Sequence, residues 1–74
     1  MINATIKEGQ FGFYDRYGEK KFAFLEEGQA LKIEREEANQ YLCSVVSPSE
    51  RCQNHGGYDG MLVLAYEENL DIQT

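Results

Sequence analysis

Basic residues are scarce in this chain. Seven Lys and Arg stand against thirteen Asp and Glu, a formal net charge of −6 at pH 7. That balance disfavours direct binding to nucleic acid or to an anionic membrane surface. Proline occurs once and glycine seven times, which excludes collagen-like and proline-rich architectures. No apolar run approaches the roughly 20 residues that a membrane-crossing helix needs. The two cysteines, Cys43 and Cys52, are too few for a disulfide-dense scaffold. The first residues, Met1 to Glu8, lack the basic region and the apolar core of about 7–15 residues that mark an export signal. The expected compartment is therefore the cytoplasm, with both thiols free.

What is present reads as an ordinary globular chain. Hydrophobic residues make up 42% and charged residues 27%, so a wholly disordered chain is excluded. Seventy-four residues suffice for a single domain, 1–74, which buries only about 60–65% of the surface its unfolded form exposes. Net stability is then expected to be a few kcal/mol, roughly 5.

Ile2, Ala4 and Ile6 alternate with polar neighbours, the period-two pattern of a strand with one buried face. The next segment is a hairpin. A turn at Tyr17-Gly18 pairs Arg16 with Glu19, Asp15 with Lys20, Phe13 with Phe22 and Phe11 with Phe24. Opposite charges meet twice and aromatics meet twice, each pair contributing roughly 0.2–1 kcal/mol. The four phenylalanines share one face, with Gly12, Tyr14, Lys21 and Ala23 on the other. As no other set is evident, they are expected to form the core. A stacking platform for single-stranded nucleic acid is the competing reading, and it lacks the basic surround that phosphates require.

Leu31 and Ile33 mark a further half-buried strand, and residues 35–40 read either as one helical turn or as a charged loop. Tyr41 to Val46 and Met61 to Tyr66 are apolar on both faces and read as two central strands. Between them, residues 47–60 form a long glycine-containing loop, well beyond the usual connection of about 2–6 residues. Residues 67–74 are an acidic tail that Leu70 and Ile72 would dock at a sheet edge. The fold class is mainly β, or α+β if one short helical turn forms, as a bent antiparallel sheet or a small barrel of about five strands.

Little in the chain points to catalysis. His55 is the sole histidine and stands in no recognisable nucleophile motif, so no catalytic residue and no cofactor are assigned. Cys43, Cys52 and His55, with Asp59 or Glu50, would make a zinc set only if the fold gathered them. The single Cys-x-x-His pair is half of what a strong zinc signal carries, so no metal is assigned. A Cys43–Cys52 disulfide is the third option, and buried or free thiols are favoured over both.

The acidic residues cluster at Glu26-Glu27, at Glu34 with Glu36-Glu37, and at Glu67-Glu68 with Asp71. In a regular strand Glu34 and Glu36 would share a face about 6.5–7 Å apart, close to the phosphate repeat of a nucleic-acid strand. By size and composition the chain resembles the small acidic inhibitors that bacteriophages and mobile elements direct against nucleic-acid-handling machinery, anti-CRISPR and anti-restriction proteins among them. That resemblance implies a protein inhibitor, acting in the host cytoplasm, that occupies the groove of a basic nucleic-acid-binding protein or complex. Glu34, Glu36, Glu37, Glu67 and Glu68 are the expected charge contacts, with Tyr58 and Asp59 as loop anchors. The alternative is a small SH3-like module for homo-oligomerisation or peptide binding.

Overall fold

The computed structural model describes residues 2–16 and 19–73, with the side chains of 14–16 and 19–21 left aside. The chain is mainly β. Strands β1 (Ile2–Ile6), β2 (Gln10–Arg16), β3 (Glu19–Leu25), β4 (Ala30–Glu37), β5 (Gln40–Val45), β6 (Leu62–Tyr66) and β7 (Leu70–Gln73) are joined by a short helix α1 (Glu50–Asn54) and one 3-10 turn, Glu67–Asn69. Five strands form an antiparallel sheet in the order β6-β5-β4-β1-β7, and β2 and β3 form a separate two-stranded sheet. The hairpin is thus an insertion between two sheet neighbours, β1 and β4. No helix among the described residues is long and apolar enough to cross a membrane.

The hairpin register agrees pair for pair with the one its charges and aromatics dictate, Phe13 facing Phe22 and Phe11 facing Phe24. The Tyr17-Gly18 turn itself lies outside the described residues. The facing of the hairpin's described residues reverses the expectation. Phe11, Phe13 and Phe22 are 64%, 43% and 52% exposed, whereas Ala23 and Leu25 on the opposite face are fully buried. The physical reason is clearance. A Cβ on Gly12 would come within 2.9 Å of Leu25 Cδ1 and 3.1 Å of Val63 Cβ, so the hairpin backbone lies directly on β6 and admits no bulky ring between. The sheet supplies its own core instead: Ala4, Ile6, Leu31, Ile33, Cys43, Val45, Met61, Val63, Ala65 and Leu70, closed by Ala23, Leu25 and Cys52.

Two further expectations change. Residues 35–40 are neither helical nor a loop: β4 runs to Glu37 and a two-residue turn at Ala38-Asn39 leads into β5, with Glu37 paired to Gln40. Ala38 there takes a φ of 24°, a conformation that a side chain resists. Among the described residues β6 pairs only with β5 and is an edge of the sheet, its inner face closed by the hairpin. Segment 47–60 is tied down along its length. Ser49 caps α1, its Oγ accepting from Cys52 N at 3.1 Å. The buried Gln29 side chain accepts from Ser49 N at 3.1 Å and donates to the carbonyls of Val46 and Ala30. The C-terminal residues do dock at an edge, where β7 pairs with β1 and Leu70 is buried.

Candidate interaction surfaces

The carboxylates sort by strand register. A bulge between Ile33 and Arg35 inserts one residue opposite β5, so that Ile33 pairs with Cys43 and Arg35 with Leu42. Glu34 consequently faces outward and accepts a hydrogen bond from Ser44 Oγ at 3.2 Å. Glu36 instead pairs with Tyr41, whose row continues to the buried Ala65. The two carboxylates therefore lie on opposite faces, and the single-face row expected of a regular strand is not formed. Glu37 is held by Arg35 in an ion pair.

Glu67 and Glu68 enter the same corner as Glu36 from the other end of the chain. They sit on the 3-10 turn that follows β6. Asn69 fixes that turn: its side chain accepts from Glu8 N at 2.9 Å and donates to Glu8 O at 3.0 Å and to Gln10 Oε1 at 2.5 Å. Glu36 and Glu67 both bear on Tyr41, whose phenol is pushed above its usual range by burial first, then by Glu67 and Glu36. Asn39, Tyr66, Glu67 and Glu68 line an open cleft beside it, and Tyr66 and Glu68 also border a second cleft with Lys7 to Gln10. One end of the sheet thus gathers Glu36, Glu67 and Glu68 with Tyr41 and Tyr66.

Tyr58 and Asp59 belong elsewhere. Gly60 N donates to Val45 O, which places their loop at the far end of β5 from Gln40, about 16 Å away at a strand's rise. Asp59 has a local task, its Oδ1 accepting from Ser47 N at 3.0 Å. Tyr58 is 48% exposed. The seven nominated residues therefore divide between two ends of the sheet and its two faces.

The second surface is the outward face of the hairpin, whose phenylalanines were expected in the core. Phe11 and Phe24 meet edge to face at 5.2 Å, and Phe13 and Phe22 lie tilted at 5.4 Å. The Arg51 guanidinium sits 4.5 Å from the Phe24 ring centroid, and the His55 ring meets those of Phe11 and Phe24 at 88° and 64°. Helix α1 and the residue that ends it therefore flank the aromatic face with Arg51 and His55.

Cys43 and Cys52 are free and buried. Among the described residues no group of three or more His, Cys, Asp or Glu is placed to hold a metal, so Cys43, Cys52, His55 and the nearby carboxylates are not gathered. The Cys43 thiol is pushed up to about 11 by burial first and Glu34 second, and Cys52 is raised by burial and then Glu26. A raised thiol value means that the folded state keeps a proton the unfolded chain has lost. The associated stability is complete below the ordinary value of 9.0 and falls as pH rises toward 11. Alkylation at pH about 8 should run at least about 100-fold slower in the native protein than in urea. Native labelling at the unfolded rate would show the thiols to be accessible.

The chain matches no protein-family model, no curated protein and no solved structure.

Proposed function

We propose that this chain is a non-enzymatic binding protein whose acidic corner docks on the cationic groove of a nucleic-acid-handling partner and competes there with phosphates. The observation that carries the reading is the convergence of Glu36 with Glu67 around Tyr41, from strands that the chain visits far apart. The backbone that bears the carboxylates is held by strand pairing and by the Asn69 clamp, so little main-chain ordering remains to oppose binding. Tyr41 and Tyr66 add the amphipathic surface on which interface energy concentrates. A non-catalytic role is supported by the surroundings of the reactive groups, since His55 lies against phenylalanine rings and both thiols are buried.

The test is a pull-down from bacterial lysate with the intact chain, followed by affinity measurement on the partner so identified. Affinity is expected to fall at least about tenfold between roughly 50 and 300 mM salt, because exposed charges carry the encounter. The double reversal Glu36→Lys with Glu67→Lys should lower it by about 100-fold or more, mostly through the association rate. Single-stranded nucleic acid should compete. An affinity indifferent to salt and to the reversal would reject phosphate competition.

The exposed aromatic face favours a second reading as well, association through the hairpin, in line with the homo-oligomer alternative.

A further inference from the structure

Six large hydrophobic side chains are exposed among the described residues, and three of them, Phe11, Phe13 and Phe22, stand together on the outward face of the hairpin. Isolated exposed apolar residues are common, but a contiguous ring cluster on a sheet face is a surface awaiting cover. The rings are not there to fill the molecule, since the opposite face of the same hairpin closes the core with Ala23 and Leu25. We propose that this face is a self-complementary dimer interface, on which a second copy of the chain lays its own hairpin about a two-fold axis.

Area supports a copy of this size. With about 200 Å² per phenylalanine side chain, the three exposures leave roughly 300 Å² of ring surface on each copy, or about 600 Å² in a pair. Apolar atoms supply about 60% of a typical interface, so an apolar centre of that extent corresponds to a total near 1,000 Å². That is the lower bound for a specific interface and fits a reversible dimer.

Charge favours the same segment. Residues 10–25 carry three Lys and Arg against two Asp and Glu, a formal +1, whereas the rest of the chain carries four against eleven, or −7. Two molecules of net charge −6 repel each other everywhere except where that excess is missing. Apposed hairpins keep the acidic bodies outermost and bring Arg51 and His55 to the rim of the seam. A nucleic-acid strand stacked on the same rings would need a row of cations along its phosphates and would run beside a body of −7. A second copy meets neither obstacle. This interface is separate from the acidic corner, and its salt dependence has the opposite sign: screening relieves the repulsion between copies and leaves the ring contacts intact.

Sedimentation velocity and light scattering on the intact chain, from about 10 to 500 µM, should show a reversible shift from the 8.5 kDa monomer to a dimer. Raising salt from about 50 to 500 mM should leave the dissociation constant unchanged or lower it. Phe13→Ser and Phe22→Ser should each raise that constant by about 30-fold or more, as central aromatic contacts do. Both positions are exposed, and a circular dichroism melt checks that the variants fold. A second measurement needs no variant: in a mixture of isotope-labelled and unlabelled copies, intermolecular contacts should appear between the Phe13 and Phe22 rings. A monomer at every concentration overturns the proposal. So does a dimer that ignores both substitutions, a dimer that salt dissociates, or a mixed sample without ring contacts. A monomer whose phenylalanine resonances shift on adding oligothymidylate would assign the face to base stacking instead.

Discussion

Leu25→Ala should destabilise the protein by about 2–5 kcal/mol, while Phe11→Ala should cost no more than about 1.5 kcal/mol. Ranked by hydrophobic bulk, the two substitutions would fall in the other order, which makes the pair a direct test of which hairpin face is inside. Leu25 is fully buried and its Cδ1 reaches under Gly12, so truncation opens a void between the hairpin and the sheet. Neither neighbour can fill it: Gly12 has no side chain, and Val63 is β-branched and fixed in a strand. Phe11 is 64% exposed and loses chiefly its edge-to-face contact with Phe24. Urea titrations read both values, provided that the slope against denaturant stays constant. They belong at low micromolar concentration, where a dimer seated on Phe11 adds nothing to apparent stability. A Phe11→Ala cost matching that of Leu25→Ala would place the ring face inside the fold.

The hairpin shows which kind of information the residues carry alone. Its register was legible because complementary charges and aromatics coincide in only one alignment, a local property of the two arms. Its facing was not, because hydrophobicity says that the faces differ and does not say which one meets the rest of the chain. The available signal was Gly12, since glycine inside a strand marks close backbone approach. With Ala23 alongside, it identified the face that packs. Helix α1 left a similarly modest trace: Ser49 precedes Glu50 as a cap precedes a first-turn acid, but one and a half turns carry no apolar periodicity.

The acidic corner was legible as composition and not as geometry. Its clusters at Glu36 and Glu67 are evident, but their meeting depends on β5 lying between β4 and β6. The bulge at Glu34 leaves no mark in residue type, and that one extra residue separates Glu34 from Glu36. Asp59 was nominated as an anchor on a glycine-containing loop. It serves the loop, because short carboxylates readily accept from nearby backbone amides.

Gly57→Ala should be severely destabilising. Gly57 is buried just past α1, where its N–H donates to Cys52 O at 2.8 Å. A Cβ there would stand 2.2 Å from Cys52 Sγ and 2.9 Å from the Cys52 carbonyl oxygen. The sulfur is itself fully buried and the oxygen belongs to the helix backbone, so neither can retreat without moving α1 off the sheet. The expected cost is about 3–5 kcal/mol, most of the stability available to so small a domain. Gly60→Ala is the informative control. Gly60 has a φ of +84° and open space around the added methyl, so its penalty is conformational only, about 1–2 kcal/mol. An argument from backbone conformation alone ranks Gly60 as the more sensitive position, and packing ranks Gly57 far above it. Adding Cys52→Ala to Gly57→Ala should recover part of the loss, because it removes the sulfur and leaves the carbonyl contact. Urea midpoints for the four proteins decide the matter, and a Gly57→Ala variant within about 1 kcal/mol of the parent would mean that α1 does not rest against Gly57.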